Sequence, residues 1–106
     1  MISGPSSVGI INQVAESLVA KQRYPSMEKA IFDLALSSIQ SKIIYYRRRI
    51  RKLEKKYGTD FNKFSVLLKN QANPSEEDDW LAWRSALSML AEWKKTYQDL
   101  LHESAR

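Results

Sequence analysis

One stretch decides the fold: Met27–Tyr57, MEKAIFDLALSSIQSKIIYYRRRIRKLEKKY. No glycine or proline interrupts it before Gly58, so it predicts a helix of about 30 residues and roughly 45 Å that ends at a glycine cap. Its apolar positions are spaced alternately four and three residues apart, which is typical of a helix packed lengthwise against another helix. These positions are Phe32, Leu36, Ile39, Ile43, Tyr46, Ile50, Leu53 and Tyr57.

The first half of this helix is apolar on a second side as well. Met27, Ile31 and Leu34 point about 180–240° away from the packed stripe at 100° per residue. A helix that is apolar on two faces is buried on both. We expect one face to contact the first helix and the other to contact the C-terminal helix or a second subunit, and we predict a homodimer.

Three further helices are predicted, over residues 8–23, 60–70 and 74–103, and we expect residues 1–7 to be disordered. Val8–Ile11 could instead form a short strand. The apolar stripe of the first helix is Ile10, Ile11, Val14, Leu18 and Val19, and that of the third helix is Phe61, Phe64, Leu67 and Leu68. The last helix repeats the four-three spacing at Trp80, Trp83, Leu87, Leu90, Tyr97 and Leu101, with its apolar face widened by Ala82, Ala86, Met89, Trp93 and Leu100.

Helix start signals separate these segments. Ser26 is a favourable N-cap for the long helix, and Thr59 or Asp60 for the third. Asn73 followed by Pro74 and Glu76 has the pattern of a capping box. The sequence therefore predicts an all-α fold and a single helical domain over residues 1–106. Its main feature is a long antiparallel helical hairpin, crossing near 20°, with short N-terminal and connecting helices.

Composition limits the possible classes of protein. The 106 residues contain no cysteine, which makes a cytoplasmic location the default. No apolar run approaches the roughly 20 residues that span a bilayer, and the first residues lack the plan of a signal peptide. We expect no contact with a membrane.

The net charge of +5 is concentrated in one segment. Between Lys42 and Lys56 there are eight basic residues and one acidic residue, Glu54. Arginine mixed with tyrosine resembles a nucleic-acid-binding surface. The candidate residues for that contact are Arg47, Arg48, Arg51, Lys52 and Lys55. The alternative is a solvated basic face, partly neutralised by the acidic helix start Glu76–Asp79, which the hairpin places beside the end of the basic segment.

A second set of candidates could bind a protein partner. Tryptophan and tyrosine are enriched in interface hot spots. Trp80 and Trp83 lie on the packed stripe and are expected in the core, whereas Trp93 lies at its margin. The candidate residues for partner binding are Trp93, Tyr97, Met27, Ile31 and Leu34.

The residues of common catalytic sites are missing from the sequence. The lone His102 lies in the last turn of the last helix, where a weak capping role is expected. One histidine and no cysteine cannot form a zinc site of usual composition. The run Glu76–Asp79 could bind a hard cation, but four successive helical residues do not converge on one point, so it better suits the helix dipole. We predict no enzyme activity, no metal and no cofactor.

Two segments resemble known families. Ala15–Ala35 resembles the helix–turn–helix part of ribbon-helix-helix antitoxins, in which a helix ends in a turn such as Tyr24-Pro25-Ser26. Glu54–Gly58, Asp60–Phe64 and Glu77–Trp83 together resemble small helical prokaryotic proteins that are often encoded beside a toxin gene.

The resemblance implies an antitoxin-like protein that binds a partner toxin and could regulate its own operon by binding DNA. Ribbon-helix-helix proteins read DNA with a strand of alternating polar residues, and Met1–Ile11 lacks that alternation. Any contact with DNA would then use the arginine face and reach mainly phosphate. A nucleic-acid-binding module and a structural coiled-coil assembly protein are the alternatives.

Overall fold

The structure, a computed structural model, describes residues 7–20 and 26–104. Within these ranges the chain forms four helices and no strand: α1 (Ser7–Ala20), α2 (Met27–Tyr57), α3 (Phe61–Leu68) and α4 (Pro74–Ser104). The all-α prediction is confirmed. The alternative strand over Val8–Ile11 is wrong, because these residues lie in α1.

Some predicted boundaries fall beyond the described ranges. The helix predicted to extend over residues 21–23 and the disorder predicted for residues 1–6 lie outside them. Ser7, which was expected to be disordered, is the first residue of α1. The chain divides into two compact units, residues 1–38 and 39–106, and α2 belongs to both. The prediction of a single domain stays a prediction.

The first unit contains α1 and the start of α2. Ser26 caps α2 as predicted, since its Oγ accepts a hydrogen bond from the Lys29 backbone N at 3.1 Å. Ala15 and Ala30 are buried. Three residues of the apolar stripe of α1 are exposed: the exposed fractions of Ile10, Ile11 and Val14 are 51%, 41% and 43%. The side chains of the other two stripe residues, Leu18 and Val19, lie outside the described part of the chain.

The second unit contains an antiparallel hairpin of α2 and α4, with α3 between them in sequence. Two hydrogen bonds fix its direction: Gln40 Nε2 donates to Tyr97 Oη at 3.2 Å, and Lys56 Nζ donates to Asp79 Oδ2 at 2.6 Å. Residue numbers rise along α2 as they fall along α4, so the two helices run in opposite directions. The predicted hairpin is confirmed.

The core of this unit lies at the end of the hairpin where α3 packs. Trp83, Ala86 and Phe64 are 0%, 1% and 2% exposed, and Ile50 is 8% exposed. Partly buried residues surround this cluster: Tyr46, Leu53, Tyr57, Phe61, Leu68, Trp80 and Leu90. The spacing of α2 therefore predicted its packed stripe correctly.

Polar groups join α3 to α4 at the edge of the core. Trp80 Nε1 donates to Ser65 Oγ at 2.8 Å, and Ser65 Oγ donates to the Phe61 carbonyl at 2.8 Å. The indole N–H of Trp80 is thereby satisfied inside a largely apolar environment, which avoids the penalty of a buried donor without a partner.

The predicted helix ends are also observed. Gly58 follows α2 at φ 66°, a left-handed conformation that favours glycine, and its N–H donates to the Glu54 carbonyl at 2.7 Å. Asp60 Oδ1 accepts from the Lys63 backbone N at 2.8 Å. Asn73 and Glu76 form the reciprocal capping box, with hydrogen bonds of 2.8 and 3.1 Å.

In the second unit, two predicted stripe positions are wrong. Leu67 is 68% exposed, because α3 is short and packs only along Phe61, Phe64 and Leu68. Leu87 is 36% exposed, while Ala86, placed at the margin of the stripe, is buried instead. Ala86 belongs to the buried cluster with Ile50, Phe64 and Trp83.

Candidate interaction surface on the long helix

The packed stripe of α2 is narrow, and it leaves most of the helix surface free. Between residues 39 and 57 only Ile39, Ile43 and Ile50 are buried, and Tyr46, Leu53 and Tyr57 are half-buried. All other side chains in this range are exposed. We call the exposed side opposite the stripe the outer face of α2. It consists of Ser41, Ile44, Arg48, Arg51, Lys52 and Lys55, with Tyr45 and Arg49 at its margin, and all eight residues line one shallow cleft.

The cations of this segment remain almost entirely unpaired. Of the eight basic residues from Lys42 to Lys56, only Lys56 has a carboxylate within 4.0 Å in the described part of the chain. Its partner is Asp79 of the acidic helix start. The expected neutralisation of the basic face by Glu76–Asp79 is therefore limited to one ion pair at the edge of the face.

Another acidic side chain of this run is engaged at the start of its own helix. Glu76 Oε1 accepts from the Asn73 backbone N in the capping box, so this carboxylate faces its own helix start. The acidic run thus caps α4 and forms one bridge to α2, and the outer face keeps its positive charge.

The outer face changes character along the helix. Relative to the stripe, Ile44 lies at about 150°, Arg48 at about 190° and Lys55 at about 170°, so all three point directly outward. The end nearer residue 41 is partly apolar, with Ile44 48% exposed and Tyr45 51% exposed. From Arg48 onward it is cationic at every turn.

Tyr45 is held in place by its neighbours. Its ring lies edge-on to that of Tyr46, with centroids 4.9 Å apart and an interplanar angle of 86°. The Arg49 guanidinium carbon lies 5.6 Å from the Tyr45 ring centroid, and Arg49 Nη1 donates to Tyr45 Oη at 3.4 Å. An exposed aromatic ring is therefore oriented before any partner arrives, which reduces the entropy lost on binding.

The hairpin end beside the outer face carries a small polar network. Lys56 and Tyr57 both donate to the Asp79 carboxylate. Hydrogen bonds from Lys56 and Tyr57 lower the pKa of Asp79 below its ordinary value. The hydrogen bond to Asp79 raises the pKa of Lys56 and that of Tyr57.

The predicted nucleic-acid-binding residues lie together on α2 and are exposed, but they do not all share one direction. Arg48, Arg51, Lys52 and Lys55 lie on the outer face, whereas Arg47 lines a groove with Lys94 and other residues of α4. Sequence reasoning did not select Ile44, Tyr45 or Arg49. The signal for Ile44 was available, since it is an apolar residue on the side opposite the packed stripe.

The predicted partner-binding residues are less accessible. Met27, Ile31 and Leu34 are half-buried in the first unit, and Trp93 and Tyr97 are half-buried in the second. The hydroxyl of Tyr97 accepts the hydrogen bond from Gln40, so Tyr97 belongs to the contact between α2 and α4. None of the five presents a side chain as exposed as Ile44 or Tyr45.

No protein family, curated protein or solved structure matches this chain. The resemblance to antitoxins stays a prediction. Among the described residues, no helix combines the length and the apolar character needed to cross a membrane.

Proposed function

We propose that this chain is a non-catalytic binding protein of the antitoxin type that holds an acidic partner protein on the outer face of α2. The partner expected from the sequence resemblance is a toxin encoded by a neighbouring gene. One observation supports the proposal most directly. Seven of the eight cations between Lys42 and Lys56 have no carboxylate within 4.0 Å in the described part of the chain, and four of the seven lie on the outer face that also carries exposed Ile44: Arg48, Arg51, Lys52 and Lys55.

The arrangement of these charges weakens the isolated helix. Arg48 with Lys52, and Arg51 with Lys55, are like charges four residues apart, and each such pair destabilises a helix by about 0.2–0.5 kcal/mol. An acidic surface placed over the outer face would remove this repulsion. The free chain therefore gains a favourable electrostatic term when it binds a partner of opposite charge.

The proposal is tested by reversing charge on the outer face alone. The tagged native chain and the Arg48→Glu/Arg51→Glu variant are each co-expressed with the product of the neighbouring gene, and affinity is measured by calorimetry. We expect the variant to bind at least about tenfold more weakly, because the two introduced glutamates would repel the acidic surface of the partner.

A matched control separates local from overall charge. Lys63→Glu/Lys69→Glu makes the same change in net charge at two exposed residues near α3. This control should bind like the native chain. Equal binding by the native chain and the Arg48→Glu/Arg51→Glu variant would contradict the proposal.

Binding to nucleic acid is the second candidate function. The observation that favours it is the wide free surface of α2, since a helix about 10–12 Å across fits a major groove about 12 Å wide. Titration of duplex DNA at two salt concentrations tests it. If Arg48 and Arg51 each contact a phosphate, their replacement by glutamate lowers the slope of log K against log salt by about 2.

We also propose that two copies pair through α1. Its exposed residues Ile10, Ile11 and Val14 are apolar, and Glu16 is the single charged residue of the helix, so neither an acidic nor a basic partner is favoured. Light scattering should give about twice the chain mass of 12.3 kDa. A mass near that of one chain at micromolar concentration would contradict the pairing.

A further inference from the structure

We infer that the outer face of α2 is a two-part docking surface for an acidic amphipathic helix. Ile44 and Tyr45 would receive an apolar side chain, and the cations from Arg48 to Lys55 would receive carboxylates on the next turns. The inference rests on the proposed function and specifies the kind of segment that the partner presents.

The first argument is the spacing of the cations. Arg48, the pair Arg51 and Lys52, and Lys55 lie on successive turns, about 5.4 Å apart along the axis. A second helix lying alongside repeats its side chains with the same pitch, so carboxylates three to four residues apart stay in register over all these levels.

Other acidic segments fit this spacing less well. Side chains on one face of an extended strand repeat about every 6.6–6.8 Å, so an extended segment would be out of register by about 2.6 Å over the two intervals between the three cationic levels. On each strand of a duplex the phosphates rise only about 3.4 Å along the axis per nucleotide, and they wind around that axis. The axial spacing of the three cationic levels is closer to the repeat of a helix than to either of these repeats.

The second argument is the apolar end of the face. Ile44 and Tyr45 are 48% and 51% exposed and lie one turn before Arg48. A phosphate backbone presents no apolar surface to Ile44, whereas an amphipathic helix does. The Tyr45 ring contacts Tyr46 and Arg49 and offers an exposed aromatic surface beside Ile44.

The third argument is orientation. The face is apolar at one end and cationic at the other, so the partner helix must be apolar at one end and acidic over the next three turns. The order of these parts gives specificity, because a helix of the same composition with its apolar residue on the opposite side cannot satisfy both parts together.

The experiment uses the full chain and a synthetic helical peptide. The peptide is rich in alanine, with leucine at one turn and glutamate on the same side at each of the next three turns. A second peptide of identical composition moves the leucine to the opposite side. Binding of each labelled peptide is followed by fluorescence anisotropy at ionic strengths of about 50 and about 300 mM.

Two variants probe the two parts of the surface. Ile44→Ser/Tyr45→Ala should weaken binding of the first peptide about tenfold and leave its salt dependence unchanged. Arg48→Glu/Arg51→Glu should abolish binding at both salt concentrations. Lys63→Glu/Lys69→Glu should bind like the native chain, and circular dichroism should show the same helix content for every variant.

The outcomes distinguish this inference from the proposed function. The inference is overturned if both peptides bind equally, if Ile44→Ser/Tyr45→Ala has no effect, or if a duplex competes as strongly as the first peptide. In the first two cases, the proposed function would still be supported if Arg48→Glu/Arg51→Glu abolished binding. If Arg48→Glu/Arg51→Glu also has no effect on binding of the partner protein, both the inference and the proposed function are contradicted.

Discussion

The aromatic end of the hairpin and the outer face of α2 are contrasting parts of the same unit. At the aromatic end, Trp83 is fully buried among Tyr57, Phe61 and Phe64, with ring centroids 5.3–6.3 Å from its own. On the outer face of α2 the side chains are exposed. One helix therefore contributes a narrow stripe to the core and leaves a broad surface exposed, so substitutions can be made in one region without touching the other.

The largest effect is expected at the aromatic end. Trp83→Ala removes the largest fully buried side chain and should lower the free energy of unfolding by about 3–5 kcal/mol. Urea unfolding followed by circular dichroism measures the change. A loss below about 1 kcal/mol would show that this cluster is not the centre of stability.

A smaller effect is expected where the aromatic end meets the outer face. Tyr57→Phe deletes the hydroxyl that donates to Asp79 and should lower the free energy of unfolding by about 1 kcal/mol. The control is Tyr45→Phe, which deletes an exposed hydroxyl with a longer hydrogen bond of 3.4 Å and should change the free energy of unfolding less. Urea unfolding of the three proteins at neutral pH makes the comparison, and equal losses in the two variants would contradict it.

The same network predicts a dependence of stability on pH. Because the folded-state pKa of Asp79 is lowered, its contribution is present above its ordinary pKa and is lost as pH falls through the folded-state value. The raised pKa values of Lys56 and Tyr57 give contributions that are lost at strongly alkaline pH. Unfolding measured from about pH 7 down to about pH 3 should show a smaller acid loss for Asp79→Asn than for the native chain. Identical pH profiles would contradict this assignment.

The smallest effect on stability is expected on the outer face. Arg48→Glu/Arg51→Glu creates pairs of opposite charge with Lys52 and Lys55, so the free energy of unfolding should change by less than about 0.5 kcal/mol or rise slightly. The same urea experiment measures it. A loss of several kcal/mol would mean that these arginines support the fold, and the separation of the two regions would then be wrong.

Much of the fold could be predicted because it follows from local patterns. The four-three spacing of α2 identified Ile39, Ile43 and Ile50, and the Asn73–Glu76 capping box fixed the start of α4. Leu67 was predicted incorrectly because the periodicity of a helix as short as α3 does not show how much of its surface a neighbour covers. The burial of Ala86 in place of Leu87 depends on the rotation of α4, which is set by tertiary contacts.

The candidate site was predictable in charge but not in detail. The basic segment was visible in the sequence, and the antiparallel hairpin correctly placed Asp79 beside Lys56. The sequence did not show that the other cations would lack carboxylate partners in the described part of the chain, because side-chain pairing depends on three-dimensional distances. It also did not show that Tyr45 is oriented by Arg49, a contact between two adjacent turns of one helix.

The narrowness of the packed stripe has an evolutionary consequence. Substitutions at Ile44, Arg48 or Lys52 lie outside the core, so they can accumulate with little loss of folding. Descendants of one ancestral hairpin could thus acquire different recognition preferences while their helices keep the same register. Folding alone should therefore restrain the stripe side of each turn, and only a bound partner would restrain the opposite side.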